Sequence, residues 1–95
     1  MNEKYVEMKL RSGVEKAGGL CWKFTSTTDG VPDRLVLLSH GKVIFVETKA
    51  PGGRLREIQK VRIRKLKMLG FKVYVLSTPK EVDIFLSEEV RRDGV

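Results

Sequence analysis

Asp33, preceded by Pro32, is followed fourteen residues later by Glu47-Thr48-Lys49. Two carboxylates and an ammonium group make a set with a definite chemistry. A pair of hard oxygen ligands suits Mg2+, which keeps several waters and usually binds through one or two carboxylates together with substrate phosphate. A neighbouring lysine can orient water or help deprotonate it, and can stabilise negative charge in a transition state. Residues 43–46 (Val-Ile-Phe-Val) run straight into Glu47 and Lys49 with no turn between. Charges so close to a core need partners, because burying them unpaired is costly. The plain alternative for the same residues is a Glu47–Lys49 ion pair at a strand end.

For these groups to meet, two strands must be joined by a tight turn. Residues 33–39 and 42–49 are apolar runs of strand length, and His40-Gly41 between them reads as a hairpin turn. Such a hairpin brings Asp33 beside residues 47–49. Alternation then puts Glu47 and Lys49 on one face, Cα atoms about 6.5–7 Å apart, with Thr48 pointing away. The near-continuous apolarity of both runs implies burial on both faces, so helices are expected over the sheet.

The remaining elements follow from periodicity and punctuation. Val6, Leu10, Val14 and Ala17 form one stripe of a helix over 2–17, stopped by Gly18-Gly19, with Gly13 inside counting against it. A short strand is expected over 20–25, then a loop over 26–30. Ala50-Pro51-Gly52-Gly53 breaks the chain. A long helix over 55–69 shows Leu55, Ile58, Arg62, Leu66 and Leu69 on one side, with Val61 and Ile63 blurring the stripe. A strand over 71–76 follows Gly70. Thr78-Pro79-Lys80-Glu81 then supplies a cap, a first-turn proline and a capping-box acid for a helix over about 79–88. The order αβββαβα describes an α/β fold, a mixed sheet flanked by helices. It reads as a single domain, 1–95, with its core over about 3–86 and residues 89–95 expected to fray.

Composition narrows the function. The chain has 95 residues, 19 Lys+Arg against 12 Asp+Glu, and a formal charge of +7. The excess is concentrated: Arg54, Arg56, Lys60, Arg62, Arg64, Lys65 and Lys67 are opposed only by Glu57. A basic segment of this kind on a small domain points to a polyanion, most often nucleic acid, against the blander reading of a solvated helix face. No run approaches the roughly 18 apolar residues of a membrane span, and no apolar signal core follows the polar first residues. One cysteine, Cys21, and one histidine, His40, exclude an internal disulfide and a tetrahedral zinc shell. These features fit a reducing cytoplasm.

Pro32-Asp33 with Glu47-Thr48-Lys49 resembles the PD-(D/E)xK nuclease superfamily, and the element order resembles its restriction-endonuclease-like core. A closer resemblance is to the VRR-NUC (virus-type replication-repair nuclease) branch. It rests on Gly30-Val31-Pro32-Asp33-Arg34, on Val46 through Gly53, on Gln59 in the following helix, and on Gly70-Phe71-Lys72-Val73-Tyr74-Val75. This resemblance implies that Asp33 and Glu47 ligate a catalytic metal, Mg2+ with Mn2+ as substitute, with the Thr48 backbone carbonyl as a further ligand. It implies that Lys49 acts on the attacking water. It also implies an acidic residue on the first helix. Glu7, one position off the Val6-Leu10-Val14 stripe, is the first choice, Glu3 one turn earlier the reserve, and Glu15 near Gly18 the weakest. Gln59 is expected to orient the nucleophile or Lys49.

The resemblance extends to stand-alone chains similar to Holliday-junction resolvases, which implies a homodimer cutting branched DNA in replication or repair. Arg54, Arg56, Lys60, Arg62 and Lys67 would supply phosphate contacts, which set affinity and not sequence preference. Two rivals share the fold: a non-catalytic DNA-binding module, and an RNA-cleaving member of the superfamily. A pure interaction or scaffold protein is the third. Ser26, Thr27 and Thr28 lack a histidine partner for nucleophilic work and are expected to touch phosphate or form a flap. His40 reads as a turn residue, and Cys21 and Trp22 as core or interface.

Overall fold

The structure, a computed structural model, describes residues 2–91. Helix α1 (Glu3–Lys16) begins where Asn2 Oδ1 accepts the Tyr5 N–H at 3.1 Å, and ends at Gly18, whose φ of 89° is left-handed. Its stripe of Val6, Leu10 and Val14 is fully buried.

Four strands form one sheet in the order β1-β2-β3-β4: β1 (Leu20–Lys23), β2 (Arg34–Leu38), β3 (Lys42–Thr48) and β4 (Lys72–Leu76). The first three are antiparallel neighbours; β4 runs parallel to β3, which requires the crossover through α2 (Glu57–Met68). The hairpin pairs Leu38 with Lys42 around Ser39-His40-Gly41, so three residues turn the chain. His40 (φ 65°) and Gly41 (φ 71°) both adopt left-handed backbone, in keeping with a turn role for His40.

One face of the sheet carries the main core. Cys21, Val36, Leu38, Ile44, Val46 and Leu76 pack beneath α1 and the last helix, with Val82, Phe85, Leu86 and Val90 above them. The other face departs from expectation. Helix α2 packs on β4, where Ile63 and Val73 are buried. Leu35, Leu37, Val43 and Phe45 are only half-buried, and Leu20 and Trp22, on the edge strand β1, are exposed. One twelve-residue helix is too short to cover a four-stranded face, so apolarity on both faces does not yield burial on both.

Helix α2 starts at Glu57, after Arg56 as N-cap, two residues later than the periodicity suggests. Its buried positions are Gln59 and Ile63, flanked by half-buried Ile58, Arg62 and Leu66, while Leu69 is exposed. The buried stripe is therefore centred on a polar residue.

Helix α3 (Pro79–Phe85) has the expected capping box: Thr78 Oγ1 accepts the Glu81 N–H and Glu81 Oε1 accepts the Thr78 N–H, each at 3.1 Å. It continues as a π turn over Leu86–Val90. Glu89 and Val90 are buried, which corrects the expected fraying of 89–95 over those two residues; residues 92–95 lie outside the described residues. Gly13 is explained here. A Cβ at that position would stand 2.3 Å from Leu86 Cδ1, so the bare glycine is what lets the π turn seat on α1.

The π turn also delivers Glu89 to the sheet. Its side chain is 6% exposed, and its carboxylate accepts hydrogen bonds from Lys42 Nζ (2.8 Å), Lys72 Nζ (3.0 Å) and the Tyr74 hydroxyl. Lys42 and Lys72 open β3 and β4, so this cluster lies at the end of the sheet opposite Thr48.

Candidate active site and nucleic-acid interface

The hairpin register, with Arg34 opposite Val46, brings Asp33 to the end of β3. Asp33 is fixed there by Thr48: Oδ1 accepts the Thr48 N–H and Oδ2 its hydroxyl, each at 3.2 Å. The Asp33 carbonyl accepts the Phe24 N–H at 2.7 Å, which ties the same residue to the chain after β1. Thr48 is 1% exposed. Its side chain points away from Glu47 and Lys49, as alternation requires, and its hydroxyl meets Asp33 Oδ2.

Glu47 is buried on the α2 side. Gln59 Nε2 donates to its Oε2 at 3.1 Å, and Lys49 Nζ lies 3.6 Å from the same oxygen. Gln59 Oε1 accepts the Arg56 N–H at 2.8 Å, so Gln59 serves both the helix start and the site. Burial, and next the negative charge of Asp33, hold the Glu47 carboxyl above its ordinary value, with Lys49 working against both. The ion pair that formed the alternative reading is thus present, inside a wider cluster of charges.

On the first helix, both candidates reach the site. Carboxylate oxygens of Glu3, Glu7 and Asp33 all lie within 4.8 Å of one another. Arg34 Nη2 also donates to Glu7 Oε1 at 3.0 Å. Glu15 pairs instead with Arg11 on the same helix at 3.0 Å. Glu47 stands outside the three-carboxylate group and couples to it through Asp33. Converging hard oxygens, and a buried carboxylate raised by a second one, fit a divalent cation, which would relieve that repulsion.

The basic segment is partly engaged. Arg56 Nη2 and Nη1 donate to the two carboxylate oxygens of Asp29 at 3.1 and 3.4 Å. Arg62 Nε donates to the Asp29 carbonyl at 2.9 Å. Lys60 pairs with Glu57 at 3.1 Å. Arg54 and Lys67 are exposed, with no protein partner among the described residues. The two bonds from Arg56 hold the Asp29 carboxyl below its ordinary value. The loop over 24–32 is therefore tied to α2. Within it, Ser26 Oγ accepts the Thr28 N–H at 3.0 Å, a local turn bond.

The VRR-NUC domain family matches residues 3–78. The chain belongs to the VRR-NUC family. A solved structure described as a VRR-NUC domain matches with a TM-score of 0.85 and 28% identity, over 92% of this chain and 96% of that one. The protein named "Putative nuclease p44", from Acyrthosiphon pisum secondary endosymbiont phage 1, is 46% identical over 79 residues. That match covers 82% of this chain and 85% of the phage protein. As a VRR-NUC chain it is a member of a nuclease family, with nucleic acid as substrate class. No helix among the described residues is long and apolar enough to cross a membrane.

Three contacts of this VRR-NUC site escape sequence reasoning. Thr48 holds Asp33, Arg34 holds Glu7, and Asp29 holds Arg56. The first does not follow from alternation: the register that pairs Arg34 with Val46 sets Asp33 opposite Glu47, and its carboxylate turns instead to Thr48. The other two link residues 27 apart and leave no local pattern.

Proposed function

We propose that this VRR-NUC chain is a Mg2+-dependent DNA endonuclease, with Mn2+ able to substitute, that hydrolyses phosphodiester bonds. The observation that carries this reading is the meeting of Asp33, Glu47 and Lys49 at one end of the β2–β3 hairpin, with Glu3 and Glu7 beside Asp33. Asp33, Glu47, Glu7 and the Thr48 carbonyl would hold the cation, with Glu3 within reach. Such a cation supplies charge that offsets the negative charge developing on phosphoryl oxygens, and it acidifies water.

The chain's own residues do the rest. Thr48 holds both oxygens of Asp33 in one orientation, and Gln59 does the same for Glu47. Lys49, beside Glu47, orients the attacking water and assists its deprotonation. The water gives up a proton to solvent as its oxygen bonds to phosphorus, the bond from phosphorus to the leaving oxygen breaks, and that oxygen takes up a proton from solvent. Basic residues on and before α2 grip the flanking backbone.

No base-reading motif accompanies the site, which favours selection by shape. The reading therefore extends to branched DNA such as a Holliday junction, cut by a homodimer whose two sites meet the two strands, in the cytoplasm of a bacterium or a phage-infected cell. The test is a labelled four-way junction, a matched linear duplex, single strands and matched RNA, each with Mg2+, Mn2+ or EDTA. Junction cutting that needs metal and disappears in Asp33→Ala and Lys49→Ala is expected. Equal cutting of all DNAs would remove junction selectivity, preference for RNA would change the substrate, and binding without cutting under either metal would remove catalysis.

A further inference from the structure

The loop ahead of Asp33 meets α2 through an arrangement that the proposed chemistry does not use. Both terminal nitrogens of Arg56 are spent on the one carboxylate of Asp29. This is the same two-bond grip by which arginine takes a phosphate. While Asp29 holds that fork, a phosphate cannot.

Two further facts describe the spot. The pair is open to solvent, with the Asp29 side chain 69% exposed and that of Arg56 58% exposed. An ion pair so exposed is weak and easily screened. A second cation stands beside it: Arg62 spends only its Nε there, on the Asp29 carbonyl, and its terminal nitrogens have no protein partner among the described residues. The fork is also wired to the candidate site. The Arg56 N–H meets Gln59, and Gln59 meets Glu47.

We propose that Asp29 is an internal stand-in for a substrate phosphate: in the free protein it occupies the Arg56 fork, and a backbone phosphate of the nucleic acid takes its place on binding. The inference rests on the nuclease reading above. It requires little movement. Gly30, at φ 86°, lies so close to α2 that a Cβ there would stand 2.8 Å from the Ile58 carbonyl oxygen. The loop backbone is thereby seated on the helix, and rotation of the Asp29 side chain alone frees the fork. Arg56 and Arg62 then form one phosphate subsite, and Asp29, a positioning residue, keeps the fork aimed while it is empty of substrate.

The experiment measures binding of a fluorescein-labelled DNA duplex by anisotropy in EDTA, across a range of salt, with thermal melting of every variant. Asp29→Asn is expected to bind about two- to fivefold more tightly than wild type at low salt, since a weak exposed pair no longer competes. Arg56→Ala is expected to lower the slope of log K against log salt by about one. Arg56→Lys keeps the charge without the fork, and is expected to weaken binding while holding the slope. Unchanged or weaker binding by Asp29→Asn, or an unchanged slope in Arg56→Ala, would show that Arg56 stays with Asp29 in the complex and would overturn the inference. If wild type fails to bind duplex at every salt concentration, the nucleic-acid reading itself falls, which is a different result from a bound wild type with an indifferent Asp29→Asn.

Discussion

Thr48 occupies the least informative position of Glu47-Thr48-Lys49, yet it makes two hydrogen bonds to the Asp33 carboxylate. Its backbone N–H cannot be mutated away, but its hydroxyl can. Thr48→Val keeps the shape and β preference and removes one bond to a carboxylate. A hydrogen bond to a charged group contributes about 1.5–3 kcal/mol, so cleavage should fall by about tenfold or more. Thr48→Ser should restore most of that loss, because it returns the oxygen. Steady-state cleavage rates beside melting temperatures check this, and equal activity of the Val and Ser variants would remove Thr48 from the positioning of Asp33.

At the scale of elements, the π turn after α3 makes its own contribution to stability through Glu89. Burial pushes this carboxyl upward, but hydrogen bonds from Lys42, Tyr74 and Lys72 outweigh it and bring it to about 2, from an ordinary value of 4.5. The folded value lies below the unfolded one. The stabilisation is therefore complete above about pH 4.5 and is lost as pH falls toward 2. Glu89→Gln should lower stability at neutral pH by about 1–3 kcal/mol and flatten the acid limb of a stability-versus-pH curve. Urea melts across that window measure both effects, and an acid limb identical to wild type would mean other carboxylates carry it.

That same element shows where sequence reading succeeds and where it stops. The start of α3 is written locally, in Thr78, Pro79 and Glu81, and the structure has it. So are the hairpin and the stripe of α1. The end of α3 is not local: Glu88-Glu89 reads as a polar tail until β3 and β4 present Lys42 and Lys72 to it. Helix α2 is misjudged for a related reason. Its inward centre, Gln59, is polar because it faces a carboxylate, and an apolar stripe drawn through the sequence slides past it toward Leu69. In the site, Asp33, Glu47 and Lys49 are legible from type and spacing. The pairs Arg34–Glu7 and Asp29–Arg56 arise only when folding joins distant segments.

Across the whole molecule, charge and apolar surface are both unevenly distributed. The formal charge is +7, yet one end of the sheet gathers Glu3, Glu7, Asp33 and Glu47, while at the other end Glu89 offsets Lys42 and Lys72. One sheet face is closed by α1 and α3, and the other is closed only beside β4. The open half of that face includes Trp22, 55% exposed and the sole tryptophan of the chain. The molecule thus carries an intrinsic optical reporter on its least covered surface. Excited near 295 nm, a wavelength chosen to spare tyrosine, its emission reads whether this surface meets water or something drier. If the proposed homodimer closes over this surface, the emission maximum should move to shorter wavelength as protein concentration rises, and dilution should reverse it. A constant maximum across a concentration range in which sedimentation detects association would put the contact between copies elsewhere, leaving Trp22 as a silent bystander whose colour responds only to unfolding.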